Sequence, residues 1–232
     1  VTANGTTTQD VTVVINGTND KPVITSSVGA AQGSVVEAGD GVTGTSSATG
    51  TLTSSDVDTG ATATWSISSP VTGTYGSISI TSDGLWTYTL SNSDSDTQGL
   101  AAGETVTERF TATVTDGQGG TATQEIRIQI TGSNDAPLIT GGPDSASLTE
   151  NSSSPLAVTG SLTVGDVDTS DIVTASRTLA VSGGSNRSDP AAPSDAELLA
   201  MFSLSPTAIL DNTQTSNTLN WSFDAGSQTF DY

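Results

Sequence analysis

The sequence predicts an all-β protein, built as tandem β-sandwich repeats with one short helix in an insertion of the second repeat. Three observations point there. Apolar residues recur with period two in short runs; Gly, Asn, Asp and Ser collect between the runs; and the chain repeats itself. The residue balance agrees. Hydrophobic residues make up 33% of the 232, a thin supply for a core, while Thr and Val, both strand formers, are abundant.

The repeat sets the domain plan. TQDVTVVINGTNDKPVIT (8–25) aligns with TQEIRIQITGSNDAPLIT (123–140), VVEAG (35–39) with LTENS (148–152), and GTLTSSDVDT (50–59) with GSLTVGDVDT (160–169). The offset drifts from 115 to 113 to 110, which places small length changes in loops. Residues 1–18 read as the tail strand of a preceding repeat, 19–133 as a complete repeat, and 134–232 as a second repeat without its last two strands.

Within repeat 1 the strands follow in order. Two lie near 22–26 and 47–54. Trp65 and Ile67 share a face, as do Ile78 and Ile80, then Trp86, Tyr88 and Leu90. Val106, Phe110, Ala112 and Val114 line a long strand on which Glu108 is the exception, and Ile126, Ile128 and Ile130 line the last. About seven strands in some 115 residues fit an immunoglobulin-like or cadherin-like sandwich with the aromatics in its core. In repeat 2, matching Trp221 to Trp86 raises the offset to 135, so roughly 25 residues are inserted, near 183–212. Ser194 and Glu197 have capping-box spacing there, which predicts the helix.

Charge and missing residue types narrow the function. With 25 acidic and 5 basic residues the net charge is −20, which repels nucleic acid and anionic membrane surfaces. No apolar run approaches the ~20 residues of a membrane helix. The absence of Cys and His excludes disulfides, thiolate zinc sites and Ser-His or Cys-His catalysis. An enzyme is not expected; a glycosidase with paired carboxylates is the form it would take. The chain begins without Met and reads as an internal slice of something longer.

The acids are not scattered. Alternating strand direction puts Asp56 and Asp58 at the end where the chain enters repeat 1, with Asn19, Asp20 and the Asp116 turn DGQGG. Glu37 and Glu104 fall at the opposite end, beside the linker Asn134–Asp135, where repeat 2 presents Asp166 and Asp168. Five carboxylates there need a cation, and calcium, which takes six to eight oxygens, suits the Asp-x-Asp spacing. Asp116 reads as a hairpin-turn residue. DSDTQG (94–99) matches the start of an EF-hand loop, but its strand flanks and the misplaced Glu104 argue against one.

NDKP and NDAP in the linkers, DVD after the second strand, a Glu near the end of the first and LAAGE before the sixth resemble VCBS and cadherin-like repeats of large secreted bacterial adhesins of the RTX type. The resemblance spans essentially the whole chain. It implies a calcium-stiffened stalk module, exported to the bacterial surface and active in adhesion and biofilm formation. It also implies shared calcium at Glu37, Glu104, Asn134, Asp135, Asp166 and Asp168 and, by symmetry, at Asn19, Asp20, Asp56 and Asp58. Expected partners are the neighbouring repeats. The alternative is a glycan- or protein-binding sandwich working through the insertion, with Trp221 or Phe202 exposed. The incomplete second repeat is further expected to fray, or to be patched by the N-terminal segment of another copy. The second DVDT, with a full repeat before it, is expected to hold the better site.

Overall fold

A computed structural model describes residues 4–5, 8–142, 145–150, 155–182, 186, 188–228 and 230. Repeat 1 is a sandwich of two sheets. One has the order β2 (Gln32–Val36), β9 (Thr121–Thr131), β8 (Thr105–Thr115), β5 (Thr64–Ile67); β2 runs parallel to β9 and the other pairings are antiparallel. The facing sheet is β3 (Ser47–Thr51), β7 (Leu85–Leu90), β6 (Gly76–Ile80). This is the all-β, cadherin-like sandwich that the alternation predicts.

The N-terminal strand is split, which the sequence reading did not foresee. β1 (Val23–Ile24) pairs with β4 (Ser54–Ser55); a 3-10 turn at Val28–Ala31 then carries the chain across, so that β2 joins the other sheet. After Val28 the run Gly29–Ala30–Ala31 offers only small, weak strand formers, which permits the crossing.

The repeat 1 core is the set of inward positions on both sheets. Trp65, Ile78, Trp86, Tyr88, Phe110, Ile126, Ile128 and Ile130 are all buried. Glu108 breaks the apolar pattern and is buried too. Its carboxylate accepts from Tyr88 Oη at 2.7 Å and from Tyr75 N at 2.9 Å, which satisfies a group that would otherwise cost several kcal/mol to bury. Burial and this contact push the Tyr88 phenol far up from its usual range.

Repeat 2 reproduces, pairing by pairing, the β1–β4 pair and the facing sheet of repeat 1. β10 (Leu138–Gly141), β11 (Ala157–Gly165), β15 (Ser216–Asp224) and β13 (Phe202–Ser205) form one sheet. Leu138 faces Gly165 as Val23 faces Ser55; Gly160 faces Trp221 as Gly50 faces Trp86. Leu204 faces Trp221 as Ile80 faces Trp86. The extra residues therefore divide. About 14 precede β13 (204 − 80 = 124, against 110 at DVDT) and about 11 lie between β13 and Trp221. The first set holds a helix, α2 (Asp195–Ala200), with both capping-box bonds between Ser194 and Glu197 formed. The second holds β14 (Ala208–Leu210), which pairs with β12 (Val173–Thr174).

Val164, Val173, Ile209, Leu210 and Leu219 make a second, smaller core. Among the described residues repeat 2 has no counterpart of β2, β8 or β9. Residues 8–18 form no strand and are exposed throughout; residues 1–3 of the expected tail lie outside the described residues. No helix among the described residues is long and apolar enough to cross a membrane.

Candidate metal centre

The junction between the repeats is built from four loops. β2 ends at Val36, and Glu37 follows it, fully buried. β9 ends at Thr131 and leads into Ser133, Asn134 and Asp135. A one-turn helix, α1 (Ser95–Gln98), lies beside them, N-capped by the Asp94 side chain, in the DSDTQG stretch. β11 ends at Gly165 and delivers the GDVDTSD loop of repeat 2.

Hydrogen bonds fix the geometry. Glu37 Oε1 accepts from Gln98 Nε2 at 2.8 Å and Oε2 from Ser133 N at 3.1 Å. Asp135 N donates to Asp168 Oδ2 at 2.6 Å, which ties the linker to repeat 2, and Asp168 N donates to Asp166 Oδ1 at 3.1 Å. Asn134 O accepts from Asp40 N at 2.6 Å, while its side chain donates to Asp135 O. A longer contact, Thr169 Oγ1 to Gly99 O at 3.4 Å, also crosses the junction.

What these bonds leave over is more informative. Asp135 Oδ2, Asp166 Oδ2 and Asp168 Oδ1 are buried and accept no hydrogen bond. Eight such side-chain atoms occur among the described residues; four are carboxylate oxygens, these three and Asp56 Oδ2. Asp166 and Asp168 are 4% and 1% exposed. A buried carboxylate is normally paired, hydrogen-bonded or bound to a metal. No basic side chain neutralises these, since both ion pairs among the described residues use Glu125, with Arg109 and Arg127.

The electrostatics follow. Burial pushes the Glu37 carboxyl above its ordinary range, and the charges of Asp135 and Asp168 push the same way against the Ser133 N–H and the Gln98 amide. Burial also raises Asp135, helped by Asp166 and Asp40. It raises Asp168, against the Asp135 N–H and with Asp171, Asp135 and Asp166.

Carboxylate oxygens of Asp166, Asp168 and Asp171 all lie within 4.8 Å of one another. Oxygens on opposite sides of a calcium ion at about 2.4 Å are themselves about 4.8 Å apart, so one ion can touch all three. The donors are all oxygens, which suits a hard cation.

The entry end of repeat 1 has the same wiring. Asp20 N donates to Asp58 Oδ2 at 2.7 Å and Asp58 N to Asp56 Oδ1 at 2.9 Å, matching the bonds of Asp135, Asp168 and Asp166. Asn19 Nδ2 donates to Asp116 Oδ2 at 2.8 Å. Asp116 Oδ1 takes the backbone N–H groups of Gln118 and Gly120, the hairpin-turn role read from DGQGG, and the Asn19 amide chiefly holds its carboxyl below the usual range. The two ends differ in shelter: Asp56 and Asp58 are half-buried and Asn19 and Asp20 exposed.

Of the residues singled out in the sequence, Glu37, Asn134, Asp135, Asp166 and Asp168 come together at the junction. Glu104 is exposed, and its carboxylate turns back to accept from Ala101 N at 3.2 Å. The sequence reading missed Asp171, Gln98 and Ser133. Asp171 was visible as a third acid in GDVDTSD that repeat 1 replaces with Ala61; Gln98 and Ser133 had no signal of their own.

Residues 19–132 match the family model described as the bacterial cadherin-like domain. No curated protein matches the chain. Among solved structures, PcdhgB3 EC1-4 in 50 mM HEPES is 14% identical at a TM-score of 0.44, covering 90% of this chain. The chain spans 42% of the length of that structure. A protein of unknown function from Porphyromonas gingivalis W83 is 7% identical at a TM-score of 0.29, covering 88% of this chain and 84% of its own.

Proposed function

We propose that this chain is a structural module of an extracellular bacterial adhesin, in which calcium bound between repeats stiffens the junction. The orphaned oxygens of Asp135, Asp166 and Asp168 carry the reading. They come from the linker and from the loop of repeat 2 that meets it, they are buried, and among the described residues no protein donor or basic side chain meets them.

Asp166, Asp168 and Asp171 would hold the ion from repeat 2, and Asp135 from the linker. Glu37, ordered by Gln98 and Ser133, and the Asn134 carbonyl would complete the set from repeat 1. Bound calcium supplies charge neutralisation. The chain's own residues do the rest: the Asp135 N–H holds Asp168 in place, and the backbone of Asp168 holds Asp166. Direct polar contacts between the repeats are otherwise sparse, so the ion would set their relative angle. Asn19, Asp20, Asp56 and Asp58 form the equivalent, more open half-site for whatever precedes repeat 1, while Glu104 would have to leave Ala101 to take part. The bacterial cadherin-like match supports placement of the parent protein outside the cell.

The acids do not form an enzyme pair, because they sit at repeat-equivalent loops and hydrogen-bond one another's backbones. The glycan-binding alternative rests on Trp221 and Phe202. Those rings stack on each other, centroids 5.8 Å apart, and Trp221 pairs with Gly160, six residues and about 20 Å along β11 from Asp166.

Calcium titration followed by calorimetry tests the proposal. Extracellular sites bind calcium at about 10⁻⁴–10⁻³ M, so about 10 mM calcium stabilises by roughly 1–3 kcal/mol per ion. Asp166→Asn with Asp168→Asn removes most of that gain. Identical melting of the wild type in calcium and in chelator contradicts the reading.

A further inference from the structure

We propose that the outer face of the β2–β9–β8–β5 sheet in repeat 1 carries a binding site for a carboxylate-bearing saccharide, centred on Arg109 and Arg127. The site lies wholly within the complete repeat. It uses none of the junction acids and is separate from Trp221 and Phe202.

The placement of the two arginines is what calls for a ligand. The chain has five basic residues against 25 acidic ones, and two of the five stand directly opposite each other on β8 and β9. Apart from Glu125, the other outward residues of these strands are Thr and Gln. Like charges directly opposite destabilise a strand pair, so the sheet by itself gains nothing from this arrangement. Glu125 relieves it only in part. Its Oε1 accepts from Arg109 Nη1 at 2.8 Å and from Arg127 Nε at 2.5 Å. Two guanidinium groups thus share one carboxylate, and the cluster keeps a net positive charge. Among the described residues, Arg109 Nη2 and both Nη groups of Arg127 meet no protein acceptor.

The neighbouring positions add donors and no further acid. In register, Gln32, Arg127 and Arg109 form one row across β2, β9 and β8, and Ser34, Gln129 and Thr107 form the next. At strand and residue spacings this block covers about 10 Å by about 7 Å. All six residues line one cleft of about 730 Å³, which Ala48 and Thr49 of β3 bound on the side of the other sheet.

The donor set selects the ligand. A guanidinium fork meets a carboxylate through two parallel hydrogen bonds, which a point charge cannot do. The amides of Gln32 and Gln129 and the hydroxyls of Ser34 and Thr107 suit a ligand rich in hydroxyl groups around that carboxylate. Among the described residues no aromatic side chain lines the cleft, so a nucleobase would find no stacking surface. The net charge of −20 repels a densely charged polymer. The fitting ligand therefore carries its carboxylates well apart, as a uronate-containing saccharide does. The proposal is independent of the metal reading.

Titration of the full chain with oligogalacturonate, followed by backbone amide chemical shifts, tests it. Excess chelator is present throughout, so that calcium can neither bridge uronate to the junction acids nor compete for it. The wild type should bind saturably, with shifts concentrated at residues 32–34, 107–109 and 127–129, and more weakly as salt rises from about 50 mM to about 300 mM. A neutral oligogalactose and an oligoglutamate of equal charge should each bind at least about tenfold more weakly than the uronate. Arg109→Gln with Arg127→Gln, at exposed positions, should lower uronate affinity at least about tenfold and leave melting within a few degrees. No saturable binding, or equal binding of the neutral sugar, overturns the proposal. Oligoglutamate that binds as tightly as the uronate overturns the saccharide in favour of an acidic peptide. Binding that survives the double substitution, or shifts confined to other segments, overturns the site.

Discussion

Glu37 is the most exacting residue of the junction, because two effects of opposite sign meet on it. It is fully buried without a cationic partner, so its charge is costly; held by Gln98 and Ser133, it is also well placed to serve a cation. Glu37→Gln keeps the shape and removes the charge. In chelator the variant should melt at or above the wild-type temperature, and in calcium below it, with calcium affinity lowered about tenfold or more, read by calorimetric titration. Loss of stability in both solutions would mean that Glu37 is only a structural hydrogen-bond acceptor. The pH dependence has a definite sign. Glu37, Asp135 and Asp168 are all pushed above their unfolded values, so the folded state holds the extra protons. Metal-free stability from these groups is therefore fully present below the ordinary carboxylate range and is lost as pH rises through the raised values. Calcium competes with those protons, so the melting difference between calcium and chelator should widen as pH rises from about 4 to about 7. Glu125, lowered by Arg127 and Arg109, pulls the other way but equally in both solutions.

At the scale of elements, the two β-sheet faces built around a Gly–Trp pair behave differently. A Cβ at Gly50 would lie 2.6 Å from the Trp86 ring and 2.7 Å from Ala30 O, and Trp86 cannot retreat, being fully buried with Nε1 bonded to Ala30 O at 2.9 Å. A Cβ at Gly160 would lie 2.4 Å from the Trp221 ring, which stands on a cleft lined also by Val158, Leu162, Phe202 and Phe223 and has room to tilt. Gly50→Ala should cost about 2–3 kcal/mol in denaturant unfolding of repeat 1, and Gly160→Ala less than about 1.5 kcal/mol in repeat 2. Equal costs would mean that the cleft is closed in solution. Both Trp positions were legible in the sequence, since period-two alternation is local and a repeat offset carries it from one domain to the other. The capping box of α2 was legible for the same reason. The crossing of the first strand between sheets, and the pairing of β13 and β14 inside the stretch read as one insertion, were not, because pairing partners far apart in sequence leave no local period. The candidate metal centre divides likewise. Asp-x-Asp and Asn-Asp announce themselves by spacing, whereas Gln98 and Ser133 act through positions that only the fold brings together, and Glu104 is captured by its own turn.

At the scale of the whole molecule one joint governs the arrangement. A complete sandwich and a partly covered sheet meet through a short linker, with few direct polar contacts and several buried acids between them, and the two ends of repeat 1 carry the same hydrogen-bonded Asp-x-Asp device at unequal depth. The deeper copy, Asp166 and Asp168, has a full repeat before it and the greater burial. A module wired in this way transmits force or orientation only when its joint is stiff, and calcium is what would make it so. Small-angle scattering of the full chain tests that most directly. In calcium the profile should be that of a single extended arrangement with a fixed maximum dimension. In excess chelator it should broaden to a distribution of interdomain angles, and Asp166→Asn with Asp168→Asn should show the broadened profile even in calcium. Superimposable wild-type profiles in calcium and in chelator would contradict the account.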